Sequence, residues 1–233
     1  MSETNRDICI RRIAVRKTAR YALLGEPASD ISDVWFVCHG YGQLAPRFIS
    51  RFEPIASSGR LIVAPEALSR FYPERTAGHH GTGSQVGASW MTSEDRETEI
   101  ADYVEYLNAV YDMVTADLGG RKFTVRALGF SQGASTVARW IAAGQVTADQ
   151  VILWAGSVPP ELTPDNARRL AARNPLMLVV GDRDPFITNQ LLDAQLAVIS
   201  KLGVPYELRR FAGGHEVEPA PLVALAGLLP ERG

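Results

Sequence analysis

A serine with a glycine two positions away on either side, Gly129-Phe130-Ser131-Gln132-Gly133, is the pattern in this chain best suited to covalent chemistry. A hydroxyl is a poor nucleophile until a neighbouring base takes its proton, so the pattern implies acyl transfer only where its surroundings expose the serine and supply that base. With 20 glycines and 14 serines in 233 residues it would arise by chance about 0.1 times, so the flanking sequence decides.

Thr124 to Phe130 reads as a strand running straight into Ser131, and Gly133-Ala134-Ser135 opens a helix of small residues. A serine that leaves a strand and starts a helix within one residue sits in a strained turn, where side chains two positions away would collide. Glycine at 129 and 133 removes that collision. The turn lifts the hydroxyl clear of the sheet and aims a helix N-terminus at the charge that would develop there.

Of four histidines, His215 is the candidate base, because Phe211-Ala212-Gly213-Gly214-His215-Glu216 places it in a glycine-rich loop just after the last predicted strand. The orienting acid should come from a strand end between serine and histidine, and Gly181-Asp182-Arg183-Asp184-Pro185 supplies two aspartates. Asp184, held by Pro185 and farther into the loop, is preferred; Asp182 reads as a loop-capping carboxylate. Backbone N–H donors for a tetrahedral oxyanion are assigned to Gln132 and to Tyr41 in His39-Gly40-Tyr41-Gly42, the alternative for that loop being a purely structural glycine turn. His39 itself reads as a hydrogen-bonding buttress of the loop. No carboxylate or cysteine completes a ligand set around His79-His80, so neither a metal nor a cofactor is expected.

The elements that must position these groups alternate along the chain. Val34 to Cys38 is a continuous apolar run, as a strand buried on both faces requires. It is followed by a helix over Pro46 to Ser57, a strand over Leu61 to Ala64 and a helix over Glu94 to Leu118 with Ser93 as N-cap. After the strand and helix around Ser131 come strands Val151 to Trp154 and Leu176 to Val180, a helix Thr188 to Leu202, a strand Tyr206 to Phe211 and a last helix near Pro219 to Leu229. Ile8 to Val15 and Arg20 to Leu24 suit an N-terminal hairpin of antiparallel edge strands. The class is α/β: a mostly parallel central sheet with helices on both faces, as a single domain over residues 1–233. Within it, residues 67–90 are irregular and long enough to line or cover a pocket.

Composition excludes other functions. The 24 basic and 26 acidic residues balance, which leaves no charge excess for a nucleic acid or an anionic membrane. Cys9 and Cys38 are too few for a disulfide framework and read as reduced core thiols. The polar start and the lack of a long apolar run imply no signal peptide and no membrane insertion, hence a cytoplasmic location.

On the four segments quoted, His39 to Gly42, Gly129 to Gly133, Gly181 to Pro185 and Gly213 to His215, the chain resembles the phospholipase/carboxylesterase group of α/β-hydrolases, which includes acyl-protein thioesterases. The resemblance runs from Val34 onward. It implies the α/β-hydrolase fold, Ser131, Asp184 and His215 as a triad, and the Tyr41 and Gln132 amides as the oxyanion hole. The group usually has leucine where Tyr41 stands and a different short loop at Gly78 to Gly87, which makes substrate choice the least transferable property. Because acyl sites are mostly apolar, Phe71, Tyr72, Trp90, Met91, Val158 and Phe186 are candidate pocket walls. The expected activity is hydrolysis of small to medium acyl esters, with thioesters or lysophospholipids served by the same triad. A peptidase or acyltransferase and a non-catalytic binding protein are the other readings. The expected partner is a small-molecule ester, and a homodimer is the assembly allowed for.

Overall fold

The computed structural model describes residues 8–28, 30–73 and 83–227. Its centre is a seven-stranded sheet in the order β1-β3-β2-β6-β7-β8-β9, formed by β1 (Tyr21–Leu24), β2 (Asp33–Cys38), β3 (Arg60–Pro65), β6 (Thr124–Phe130), β7 (Gln150–Trp154), β8 (Leu176–Gly181) and β9 (Tyr206–Phe211). Every pairing is parallel except that of β1 with β3. Two short strands, β4 (Ser69–Phe71) and β5 (Gly87–Ser89), form a separate antiparallel pair within the stretch read as irregular.

Side chains alternate across a strand, so a sheet covered on both faces needs apolar residues at every position. In β2, Val34, Phe36 and Cys38 join the core under α2 (Arg96–Asp117) and α3 (Gln132–Ala143), while Trp35 and Val37 join the core under α1 (Ala45–Ile49) and α6 (Pro219–Gly227). Helix α5 (Asn189–Lys201) adds Ile199 to the first core, and Thr188 caps it by accepting from the Leu191 N–H. The four-residue α4 (Pro164–Ala167) runs into a 3-10 turn before β8.

At the N-terminal end of the sheet, Asp33 accepts from Arg60, Arg126 and the Trp35 indole, and both guanidinium groups lie over the Trp35 ring. The same arginines donate to the Ala226 and Leu225 carbonyls, the electronegative end of α6. Charge is thus gathered at the edge opposite the strand ends that lead to Ser131.

The predicted class and strand sequence are borne out, with local corrections. Ile8 to Val15 forms no strand: β1 pairs with β3 alone, and Ile8, Ile10, Ile13 and Val15 stay exposed because no apolar surface receives them. Cys9 on this segment is exposed, not a core thiol; Cys38 is buried, and desolvation pushes its thiol pKa up. The helix expected over 46–57 divides, α1 continuing as a 3-10 helix over Ser50–Ile55 that contains Pro54, which has no N–H to give an α-helical ladder. Helix α2 starts at Arg96, two residues after the expected Glu94, with Asp95 instead of Ser93 at its N-cap in a left-handed conformation (φ 46°). His79 and His80, and the end of the last helix beyond residue 227, lie outside the described residues.

The contrast between core and N-terminal segment is measurable. Leu128→Ala, at a fully buried position in β6, should lower the unfolding free energy by about 2–5 kcal/mol in urea titration. Ile13→Ala should stay within about 0.5 kcal/mol; a larger loss would show that the segment packs after all.

Candidate active site

Strand β6 ends in a backbone that only a tightly held turn can maintain. Ser131 has φ 53° and ψ −117°, a region L-residues seldom occupy. Its N–H donates to the Trp154 carbonyl (2.9 Å) and its own carbonyl accepts from Ala134 (3.0 Å), so neighbouring strand and following helix both hold it. A Cβ at Gly129 would stand 2.1 Å from the Gly133 carbonyl oxygen, and one at Gly133 would stand 2.2 Å from that of Cys38. Both glycines are therefore required by backbone contact, which is the physical content of the five-residue pattern.

The loops after β8 and β9 are pressed together. Arg183 N–H donates to the Gly213 carbonyl and Asp182 N–H to the Phe211 carbonyl, while a Cβ at Gly181 would lie 2.5 Å from the carbonyls of both Gly213 and Gly214. That proximity brings Asp184 against His215: Oδ2 of Asp184 lies 2.7 Å from Nδ1 of His215. Oδ1 accepts from the Phe186 and Ile187 N–H groups, which orients the carboxylate so that its other oxygen meets the ring. On the far side of the ring, Nε2 is 3.0 Å from Oγ of Ser131. The Asp184 side chain is fully buried, and His215 packs between Phe130 and Phe186. Asp182, the rival aspartate, instead pairs with Arg210 at the surface.

The loop after β2 is clamped beside this group. His39 is buried; Nε2 accepts from the Ala67 N–H, which leaves Nδ1 to carry the hydrogen and donate to the Gly40 carbonyl. Burial holds its pKa below the ordinary histidine value, outweighing the upward pulls of the Gly40 carbonyl and Glu66, so the neutral ring acts as a buttress. Gly40 N–H donates to the Gln43 side chain, Gly42 N–H to the Ala88 carbonyl and Gln43 N–H to the Gly40 carbonyl. Among the described residues, the Tyr41 and Gln132 amides have no acceptor.

One brace has no counterpart in the sequence reading. The Gln132 side chain accepts from Trp90 N–H and donates to the Ser89 hydroxyl and the Met91 carbonyl, tying residues 89–91 to the turn at Ser131. The Trp90 indole donates to the His39 carbonyl, so Trp90 is buried core, tilted against His39 and edge-on to Tyr103, and not an open wall. A glutamine following the serine was the only available hint. Of the other candidate walls, Phe71 stacks on the exposed Tyr41 ring, Tyr72 is exposed and Met91 is half-buried against the core. Val158 is buried beside a cavity, and Phe186 is 65% exposed with its ring set edge-on to His215.

Arg139, buried on α3, donates to Glu161 (2.6 Å) and so fixes the segment after β7; Arg96 reaches the same carboxylate. Desolvation would raise the Glu161 pKa, but hydrogen bonds from Arg139, from its own backbone N–H and from Arg96 outweigh it and bring it down to about 2.

The family model described as Serine hydrolase (FSH1) matches residues 36–220. The chain belongs to this family. The match spans the sheet from β2 to the start of α6 and includes all four segments that carry the resemblance, so this FSH1-family serine hydrolase is an enzyme by membership. No curated protein matches it. Similar solved structures include acyl-protein thioesterase 2 of Zea mays (17% identity, TM-score 0.66, covering 90% of this chain and 96% of that one). A Bacillus cereus carboxylesterase follows at 14% identity and TM-score 0.63, over 89% and 92% of the two chains. Esterase PE8 has 21% identity and TM-score 0.59, over 90% and 97%. These likenesses establish the α/β-hydrolase fold.

A depressed carboxylate pKa contributes stability above the unfolded value, and this contribution is lost as pH falls through the folded one. The Glu161 share should therefore be complete above the ordinary glutamate value of 4.5 and disappear toward pH of about 2. Glu161→Gln should make urea stability less steep across that window; an unchanged slope would show that the pair contributes nothing.

Proposed function

We propose that this protein is a serine carboxylesterase that hydrolyses small to medium acyl esters through Ser131, His215 and Asp184. The observation that carries this reading is the unbroken hydrogen-bonded chain from Ser131 Oγ through both ring nitrogens of His215 to a buried Asp184. Nucleophile, base and orienting acid need that order and those distances.

In the first half-reaction Ser131 Oγ attacks the ester carbonyl carbon as its proton passes to His215 Nε2. The negative charge moves to the carbonyl oxygen, where the free Tyr41 and Gln132 amides serve as donors. Asp184, accepting from Nδ1, holds the ring in the required tautomer and stabilises the imidazolium. The tetrahedral intermediate collapses by breaking the bond to the alkoxy oxygen, which takes the proton from His215 and departs as the alcohol. In the second half a water gives its proton to His215 and attacks the acyl-enzyme. Cleavage of the bond to Ser131 releases the carboxylic acid and returns the proton to the serine.

An acyl thioester is a second substrate of the same machinery, favoured by the structural likeness to the maize thioesterase. A thiol would then replace the alcohol as leaving group. On the oxyanion side Phe71 packs against Tyr41, and the buried Trp90 supports the loop from behind through the His39 carbonyl.

Ser131→Ala should abolish both ester turnover and covalent labelling by a fluorophosphonate, with an unchanged urea midpoint; residual labelling would refute the nucleophile assignment. Asp184→Asn should cost on the order of 10³–10⁴ in kcat by presenting the wrong tautomer. Asp182→Asn should stay within about threefold, since it loses only an exposed pair with Arg210. Similar losses at the two aspartates would reverse that choice.

A further inference from the structure

A cavity of about 160 Å³ lies at the C-terminal ends of β7 and β8 against α5, lined by Leu153, Val158, Leu178, Val180, Leu192 and Ile199. Two more of its walls belong to the site. Gly156 is one: a Cβ there would stand 2.5 Å from the Ser131 carbonyl oxygen and 2.4 Å from Ala134 Cβ, so the cavity abuts the turn that holds the serine. Ile187 is the other, its N–H donating to Asp184 Oδ1. No charged side chain lines the space among the described residues. Gln195, its one polar side chain of any length, is occupied by accepting from the Val158 N–H (2.9 Å).

We propose that this cavity is the acyl pocket and that it takes uncharged acyl groups of about six carbons or fewer. The inference rests on the Ser131 acyl-enzyme reading. In that reaction the acyl group stays on the serine through both half-reactions, whereas the alcohol must leave before water can attack. The part that stays belongs in the apolar space against Gly156. The part that leaves belongs on the side where Phe186, 65% exposed, and the edge of His215 face solvent. Size sets the limit, because an apolar cavity of about 150 Å³ accommodates a benzene ring and so about six carbons. Each methylene buried there should gain about fourfold in kcat/KM. Leu191 and Ala194, exposed on α5, form the outer lip, so a longer chain reaches solvent and gains no more.

The experiment is a series of p-nitrophenyl esters from acetate to laurate, with rates normalised to active sites titrated by a fluorophosphonate. Wild-type kcat/KM should climb to about hexanoate and then stop climbing. Val158→Phe, which fills the cavity, should lower the hexanoate-to-acetate ratio at least tenfold. Leu192→Ala, which enlarges it, should move the optimum at least two carbons longer. If Val158→Phe does not fold, Leu192→Ala and the wild-type profile still decide. Normal titration with a rate that keeps rising to laurate, or with ratios unchanged in both variants, would overturn the cavity assignment alone. Absence of both titration and ester turnover would instead remove the esterase reading beneath it.

Discussion

The backbone at Ser131 is the constraint on which the rest depends. A left-handed residue between strand and helix is unfavourable by itself, by about 1–3 kcal/mol. It persists because contacts on every side leave no alternative: the Trp154 carbonyl takes its N–H, Gly133 sits against the end of β2, and Gly156 sits against its carbonyl. The apolar cores on both faces of the sheet stabilise this arrangement, with Trp35, Trp90, Trp140 and Trp154 all buried.

Convergence of the other groups follows from the parallel sheet. Strands β2, β6, β7, β8 and β9 all run the same way, so the loops leaving them emerge at one end: Tyr41 after β2, Ser131 after β6, Asp184 after β8 and His215 after β9. Crossover connections put helices between those strands and keep the loops free for chemistry. The fixed charges around Asp33 are at the opposite end, where they anchor α6 without perturbing the site. Glu66, buried just past β3, accepts from the Ala45 N–H a few residues beyond the oxyanion loop. Burial alone would raise its pKa, but Arg20 and Arg70 hold it below the ordinary carboxylate range.

Much of this was legible in the residues. A continuous apolar run located β2, and glycines at fixed distances marked the turn at Ser131, because those signals are local consequences of sheet burial and backbone crowding. That Asp184, and not Asp182, lies against His215 has a similarly local origin, since Pro185 fixes the loop beyond it. What escaped was set by partners far away in sequence. Among the described residues nothing pairs as a strand with 8–15, and the short strands β4 and β5 pair with each other where Gly42 and Gln43 lie beside Ala88. Trp90 looked like a pocket aromatic, yet its indole is spent on the His39 carbonyl. Nor does spacing reveal that Gln132 braces residues 89–91, a role decided by loop packing.

The strand that presents His215 is the last one in the sheet. Among the described residues β9 pairs on one side only, with β8, and it carries Glu207, Arg209 and Arg210 as exposed charges, which discourage another strand from adding to it. An edge strand opens at a lower free-energy cost than the interior. The proposed base thus hangs from an edge of the sheet, while the serine hangs from its central strand. Heating should separate the two, with catalytic competence fading through detachment of β9 before the tryptophan-filled interior gives way.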